Sequence, residues 1–349
     1  MVASIQKTAV IGTESRILPV GYDGGNSSAK LVVDVAEIRV PSLFLPIHSE
    51  LHDVPASLEG GFVEYISGAR TDLAGQRWMS GQPAYSKDPI GHIRIVDDPK
   101  GKIRYGLQTF LGGISTMKHQ PSWELNVVAS IQDAQVMGME LKHALQGSHL
   151  VRFNGSSEST EVNINVLAVV EEGVGAMIQA RPEITPDGET LLYDFGFGTC
   201  IISHFGAKGR LINRTVTPGG VEHLVEAIAK NFDMRKRESK EGDRQLIRQG
   251  IERRDFIYGK PQRRASWDFS HIYKAELRPW IESVLHTALK TGSPWSVNCD
   301  AIIACGGGSQ LPLVAEYLER KDIKPIQNGC WANARGLARF AFMKQRGSK

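Results

Sequence analysis

Two segments of this sequence place an aspartate at the end of a β-rich run and follow it at once with a glycine turn: YDGGNSSAK at 22–30 and YDFGFGTC at 193–200. In the first, the backbone N–H groups around Gly24, Gly25, Asn26 and Ser27 can converge on an anion, and Lys30 can add an ammonium. Phosphate is the natural ligand of such a nest. A carboxylate such as Asp23 beside a phosphate implies an intervening Mg2+, held directly or through its waters. Alone, each segment reads equally as a glycine-rich hairpin. Two of them at corresponding places in two halves imply a cleft with Asp23 and Asp194 on opposite sides of one Mg2+-nucleotide. A third segment, IIACGGGSQLP at 302–312, feeds a buried strand into Gly306, Gly307 and Gly308 and then a helix. Glycines let the backbone approach a planar or charged ligand closely, and a helix N-terminus favours negative charge. This segment lacks the dinucleotide G-x-G-x-x-G spacing, and the chain holds no G-x-x-x-x-G-K-[ST] P-loop.

The elements around these segments follow from hydrophobic period and turn residues. Runs at 17–23 and 28–35 flank the GGNS turn as a hairpin, with a third β-rich run at 36–42. Region 61–130 is the least informative. DAQVMGMELKHAL (133–145) carries a helical stripe that Gly147 can end. HLVRFN and TEVNINVLAVV form a second hairpin, and EEGVGAMIQA starts a helix. The same grammar repeats: strands over 190–205 and 209–216, then TPGG opening the helix VEHLVEAIAKNF. A charge-mixed helical stretch covers 231–258, an amphipathic one covers 271–290 with Pro279 kinking or dividing it, and ANARGLARFAF is the last helix.

Composition excludes several classes. With 349 residues, 41% hydrophobic and 23% charged, the chain can build one large or two medium cores. Its apolar runs are far short of the ~20 residues of a membrane-spanning helix. The first sixteen residues lack the apolar core of a secretory signal, so a cytoplasmic location is expected. Cysteines at 200, 299, 305 and 330 show no zinc-type paired spacing and read as reduced, packed thiols. His48 and His52, beside Asp53 in a proline-bounded segment, give no helical metal face. Net charge is +3, but residues 230–264 hold twelve Lys or Arg against six acids, a local +6 that leaves −3 elsewhere. Interspersed acids make the MRKRESK run a solvated helix rather than a nucleic-acid contact. Trp280, Trp295 and Trp331 read as core or interface residues.

In motif order the sequence resembles the actin-like ATPase superfamily, which includes actin, the heat-shock chaperone ATPases and the sugar kinases. YDGGNSSAK, EEGVGAMIQA, YDFGFGT, CGGGSQLP and ANARGLARFAF match its first phosphate hairpin, connecting helix, second phosphate hairpin, adenosine turn and second connecting helix. The run from SWELNVV through LKHALQGSHLVRFNG to VLAVVEEGVGAM looks like the N-terminal domain of bacterial and archaeal actin-like proteins of the ParM type, whose plasmid members segregate DNA. The resemblance spans roughly 17–345.

It implies an α/β, actin-like fold of two similar domains, each a mixed sheet plus helices, around a nucleotide cleft. Domain I would cover 17–180 with the C-terminal helix 329–345 packing back on it, domain II 181–328, and residues 1–16 a flexible tail. Asp23 and Asp194 would organise Mg2+. Lys30 and the backbone near Gly24, Gly25, Asn26, Gly196 and Gly198 would hold phosphates, with a hydroxyl from Thr199. Glu172 matches the carboxylate that orients the attacking water, and Glu171 is its rival. Gly306, Gly307 and Gly308 would lie against adenosine, with Ser309 and Gln310 touching the base or capping. Gly219 and Gly220 resemble the segment near the ribose, while Glu222 and Glu226 read as packing or capping residues. The second turn, FGFG, departs from the Gly-Gly-Thr run of many relatives.

The expected activity is that of a Mg2+-dependent ATPase, or GTPase, that polymerises head to tail, for plasmid segregation or another cytoskeletal role. Its partners would be copies of itself and a DNA-bound adaptor, with no membrane and no direct nucleic-acid contact. A small-molecule kinase, or a nucleotide-gated binding module that does not polymerise, would share the same site.

Overall fold

The computed structural model describes residues 16–347 apart from 52, 55, 56, 186, 261, 262 and 264. The tail expected over 1–16 therefore lies outside the described residues except for Arg16, as does His52.

The described residues form seventeen strands, of which β1 Leu18–Gly24, β2 Ser28–Val33, β3 Ala36–Pro41, β4 Leu43–Pro46, β5 Phe62–Gly68, β6 Arg77–Ser80, β7 Ile93–Arg94, β8 Ser122–Ile131, β9 Gly147–Phe153 and β10 Ser159–Glu171 make one sheet. β11 Thr190–Phe195, β12 Thr199–Gly206, β13 Arg210–Pro218, β16 Ala301–Cys305 and β17 Lys324–Pro325 form the second, and β14 Ile257–Tyr258 pairs with β15 Trp267–Asp268. The repeat suggested by the two Tyr-Asp turns is one of topology. The order β3-β2-β1-β8-β10 in the first sheet and β13-β12-β11-β16-β17 in the second is the same, antiparallel through the hairpins and parallel beyond them. The first sheet then continues antiparallel through β9-β5-β6-β4-β7.

Alternation along the strands sets what each repeat buries. Tyr22 and Tyr193 point into the two cores, where their hydroxyls donate to the carbonyls of Gly106 (3.1 Å) and Leu289 (3.4 Å). The next residue in each strand, Asp23 or Asp194, must then face the other way. The two main cores are separate clusters, one gathered on Leu31, Phe110 and Val127, the other on Phe195, Leu224 and Phe269.

A helix follows each five-strand unit: Val174–Ala180 after β10 and Ala332–Gly347 after β17. The second packs on β1 and β8 of the first sheet and crosses the first helix at backbone distance. A Cβ on Gly336 would stand 1.7 Å from the Gly175 carbonyl oxygen, and one on Gly175 would stand 2.1 Å from that of Asn333. The crossing therefore needs glycine on both helices.

Several elements differ from the sequence expectation. The helix of 133–145 forms as Ala134–Leu145, with the Asp133 carboxylate accepting from Val136 N–H at 3.1 Å. Gly147 does not cap it, because Gln146 is already extended and Gly147 opens β9. The stretch 231–258 divides into Phe232–Glu238 and Arg244–Arg253. Ser239 turns left-handed after the first, and Asp243 caps the second by accepting from Gln245 and Leu246 N–H. Pro279 does not divide its helix. Ser270–Trp280 continues through a π-turn, Ile281–Leu285, into His286–Ser296, with His286 N–H donating to Ile281 O. The adenosine-turn glycines lead first into a 3-10 turn, Gly308–Gln310, because the following helix starts only at Val314. No helix of the described residues is long and apolar enough to cross a membrane.

Replacing Gly336 with alanine should lower the denaturation midpoint by an amount equivalent to about 1–3 kcal/mol. Alanine at Gly347, where a Cβ meets no neighbour within 4 Å, should leave the midpoint unchanged, and equal urea curves for the two variants would disprove the close crossing.

Candidate functional site

A cleft of about 340 Å³ opens between the two sheets. Its walls include Asp23, Gly25, Asn26, Ser27 and Lys30 from the first hairpin, Glu172 from the end of β10, and Asp194, Gly196 and Thr199 from the second hairpin. Gly306 and Gly307 line it from the third segment. The two aspartate turns repeat down to single hydrogen bonds: Gly25 N–H donates to the Asp23 carbonyl at 3.0 Å and Gly196 N–H to that of Asp194 at 3.1 Å. The hairpins also meet across the cleft, since a Cβ on Gly198 would lie 2.8 Å from Asn26 Nδ2.

Register decides which side chains stand beside each aspartate. Asp23 is flanked by Lys30 on β2 and Ser130 on β8, and Asp194 by Ile201 on β12 and Cys305 on β16. Asn333, near the start of the last helix, donates to Asp23 Oδ1 at 3.0 Å and to Ser130 Oγ at 2.8 Å. Ser130 Oγ donates in turn to Asp23 Oδ1 at 3.3 Å. Asp23 is thus oriented by two other elements, β8 and the last helix. Asp194 has fewer partners and more opposition. Burial, then the charges of Asp23 and Glu172, push its carboxyl up to about 7, against the opposing pull of Lys30 and a hydrogen bond from Cys305. Gly306 makes this approach possible: its φ is +81°, and a Cβ there would lie 2.4 Å from Asp194 Oδ1.

Glu172 and Glu171 separate clearly. Glu171 accepts from Ala134 N–H at 2.8 Å, capping the helix 134–145, and pairs with Arg214. Glu172 lines the cleft and is held by Lys102 Nζ at 2.7 Å. Three carboxylates, Asp23, Asp194 and Glu172, therefore line the same cleft as Lys30 and Lys102.

Other expected ligand residues stand behind the site. Gly24 and Gly198 do not line the cleft. Gly219 and Gly220 support the second turn, because the helix they open spends its first N–H groups there: Val221 N–H donates to Gly196 O at 3.1 Å and Glu222 N–H to Phe197 O at 2.8 Å. Trp280 Nε1 donates to Gly220 O at 2.8 Å. Gly308 packs under Phe195, and the fully buried Ser309 closes its own turn by donating to Gly306 O at 2.9 Å. Gln310 lines the cleft. Glu222 pairs with Arg94 and Glu226 with Arg244, and neither lines the cleft. Of the two phenylalanines in the second turn, Phe195 stacks on Tyr193 in the core while Phe197 faces the cleft.

Several cleft residues gave no sequence signal. Lys102 falls in the uninformative region 61–130. Arg248 belongs to the basic stretch whose outward face reads as solvated. It is buried, reaches across to donate to Ser27 O and Ser27 Oγ at 3.0 Å each, and leaves its Nη2 without a hydrogen-bond partner among the described residues. Arg39, paired with Glu252 at 2.5 Å, and Arg254 also line the cleft. Trp331 is a cleft residue rather than a core one. The basic excess of 230–264 is thus partly turned inward, toward a space suited to an anion.

The donor set fits a magnesium nucleotide. A hard divalent cation would offset the burial and the neighbouring carboxylate charges that raise Asp194, and the surrounding lysines and arginines, one of them with an unused donor, suit phosphate.

Residues 21–175 match the family model of the actin-like protein N-terminal domain. The whole fold is similar to solved actin-like structures. These include the archaeal actin homologue Ta0583, with 16% identity, a TM-score of 0.70, and coverage of 94% of this chain and 100% of that one. ParM of Bacillus thuringiensis, solved with ATP, has 18% identity and a TM-score of 0.69 over 95% and 99% of the two chains. A ParM from a 15-stranded Clostridium botulinum filament has 13% identity and a TM-score of 0.70 over 94% and 99%. No curated protein matches the sequence significantly. With its duplicated five-strand units around one cleft, the chain has the actin-like fold seen in these archaeal actin and ParM structures.

The raised Asp194 carboxyl has a measurable sign. A folded-state value near 7 against about 3.8 unfolded destabilises the ligand-free protein as pH rises from 4 to 7, and the deficit is constant above that. Asp194→Asn should therefore stabilise the ligand-free protein at pH 8, on the order of 1–2 kcal/mol because the cleft leaves the group partly solvated. The gain should shrink at pH 5, as read by denaturant midpoints at the two pH values. A gain independent of pH would contradict this origin.

Proposed function

We propose that this chain is a Mg2+-dependent nucleoside triphosphatase, with ATP or GTP as substrate, that assembles head to tail into filaments whose lifetime is set by hydrolysis. The observation that carries the reading is the meeting of Asp23, Asp194 and Glu172 with Lys30 and Lys102 at one end of a cleft between two repeated units. The filament and ATP-bound forms of the similar ParM proteins support it.

In this assignment Asp23 and Asp194 hold Mg2+, directly or through water, and the ion when bound neutralises charge on the phosphates. Lys30 and the backbone N–H groups of the two hairpins bind the phosphate oxygens. Glu172, fixed by Lys102, orients water and takes its proton as the water oxygen bonds to the terminal phosphorus and the bond to the bridging oxygen breaks. Phosphoryl transfer requires placement and charge compensation more than covalent chemistry, so these groups are sufficient. Gly306 and Gly307, with Gln310 and Trp331, form the end of the cleft assigned to the nucleoside. A head-to-tail contact that does not close on itself gives an open filament. The cargo reading is segregation of plasmid or other DNA through an adaptor protein, the basic surface of the chain being partly consumed inside its own cleft.

Light scattering and phosphate release, followed together after adding Mg2+ and ATP or GTP, test the reading. The wild type should scatter on nucleotide addition and decay as phosphate accumulates. Glu172→Ala should bind nucleotide but release phosphate about 10²–10⁴-fold more slowly, leaving long-lived polymers. Phosphate release without scattering would refute assembly, and absence of nucleotide binding in the wild type would refute the site.

A further inference from the structure

At the far end of the second sheet, three potential ligands from distant parts of the chain converge. Glu189 immediately precedes β11, His204 lies on β12, and Cys299 follows the helix 286–296. Their ligand atoms all lie within 4.8 Å of one another. Asp194 lies five residues along β11 from Glu189, about 16 Å at strand rise, so this cluster is separate from the nucleotide cleft. We propose that Glu189, His204 and Cys299 form a binding site for a borderline divalent metal ion of the zinc class, with water completing a four-coordinate shell.

The donor chemistry selects the ion. One thiolate, one imidazole and one carboxylate suit Zn2+ and its neighbours, whereas Mg2+ requires an all-oxygen set. Ligand atoms around tetrahedral zinc are ~3.3–3.8 Å apart, given bonds of ~2.0–2.3 Å, so the widest spacing must close by about 1 Å while the 2.7 Å contact between His204 and Glu189 opens.

The backbones that carry the three groups are pinned. The Glu189 carbonyl accepts from Asp300 N–H at 2.8 Å and Ala301 N–H at 3.3 Å, and Glu189 N–H donates to Asp300 Oδ2 at 2.7 Å. Opposite Leu191 in the ladder, His204 has its ring stacked on Trp295, with centroids 6.3 Å apart. The turn that brings Cys299 back toward the sheet is held by Cys299 N–H donating to Ser296 O and Sγ–H to Trp295 O, both at 3.2 Å. His204 Nε2 faces Glu189 Oε2 at 2.7 Å, while its buried Nδ1 has no partner among the described residues. All the ring's bonding is therefore directed to the Glu189 side. His204 is 9% exposed and Glu189 39%, which leaves an approach from solvent.

A metal entering here replaces the thiol proton and any proton shared by Glu189 and His204, releasing them to solvent. It would tie the end of the helix 286–296 to the β11–β12 edge without entering the phosphate chemistry.

The test is Co2+ titration of the metal-free full chain, with Mg2+ present to saturate carboxylate sites. One equivalent should produce a thiolate-to-cobalt charge-transfer band and the visible bands of four-coordinate cobalt, both bleached by Zn2+. Cys299→Ser should lose the charge-transfer band, and Glu189→Gln should weaken Co2+ binding at least about tenfold. A folded wild type without that band, or the same band in Cys299→Ser, would overturn the site. If Cys299→Ser does not fold, the near-isosteric Glu189→Gln decides, and unchanged affinity there overturns it.

Discussion

Two backbones in contact at Gly175 and Gly336 set the geometry on which the cleft depends. Each glycine lies on a helix that leaves one five-strand unit, and the helices cross with no side chain between them. Interiors packed to crystal-like density transmit such a contact as a fixed distance. With the last helix also lying on β1, the unit that ends in β17 is anchored to the sheet that begins with β1. Asn333, one turn ahead of the crossing, then reaches Asp23. The contact that holds the two halves together thereby also orients one of the two central carboxylates.

Electrostatics explains why the cleft is built for a ligand rather than for the stability of the empty protein. Two aspartates from repeated turns and Glu172 are gathered at one cleft, and burial together with the charges of Asp23 and Glu172 pushes the Asp194 carboxyl up. Perturbed carboxylates of this kind cluster at functional sites. The compensating cations come from elsewhere: Lys102 from the helical segment before β8, Arg248 from a helix of the opposite unit, and Arg39 from β3. Arg248 grips Ser27 from across the cleft, so the first hairpin is braced by the unit it faces.

Much of the fold was legible. The hairpins around Asp23 and Asp194, the helices at 134–145 and 221–230, and both connecting helices follow from local period and turn residues, which are short-range properties. The repeat was legible because the same Tyr-Asp-turn pattern solves the same local problem twice. What failed was local structure settled by packing. Gly147 became a strand residue, Pro279 stayed inside a continuous helix, and the Gly306–Gly308 run did not feed a helix directly. Of the expected site residues, Asp23, Asn26, Lys30, Asp194 and Thr199 line the cleft, whereas Gly24, Gly198, Gly219, Gly220, Gly308 and Ser309 stand behind it.

The sequence by itself determined the order of elements, the two aspartate turns, Lys30, and the choice of Glu172 or Glu171 at the end of β10. All of these are carried by residues within a few positions of one another. Only the tertiary structure separates the surroundings of those two glutamates, with Glu171 capping a helix and Glu172 lining the cleft, while Arg214 stands beside both. Only it brought Lys102, Arg248 and Asn333 to the cleft, and Glu189, His204 and Cys299 together at the opposite end of the second sheet. Those groups are separated by tens to hundreds of residues, and their proximity is fixed by strand register and helix crossing, which no local pattern encodes.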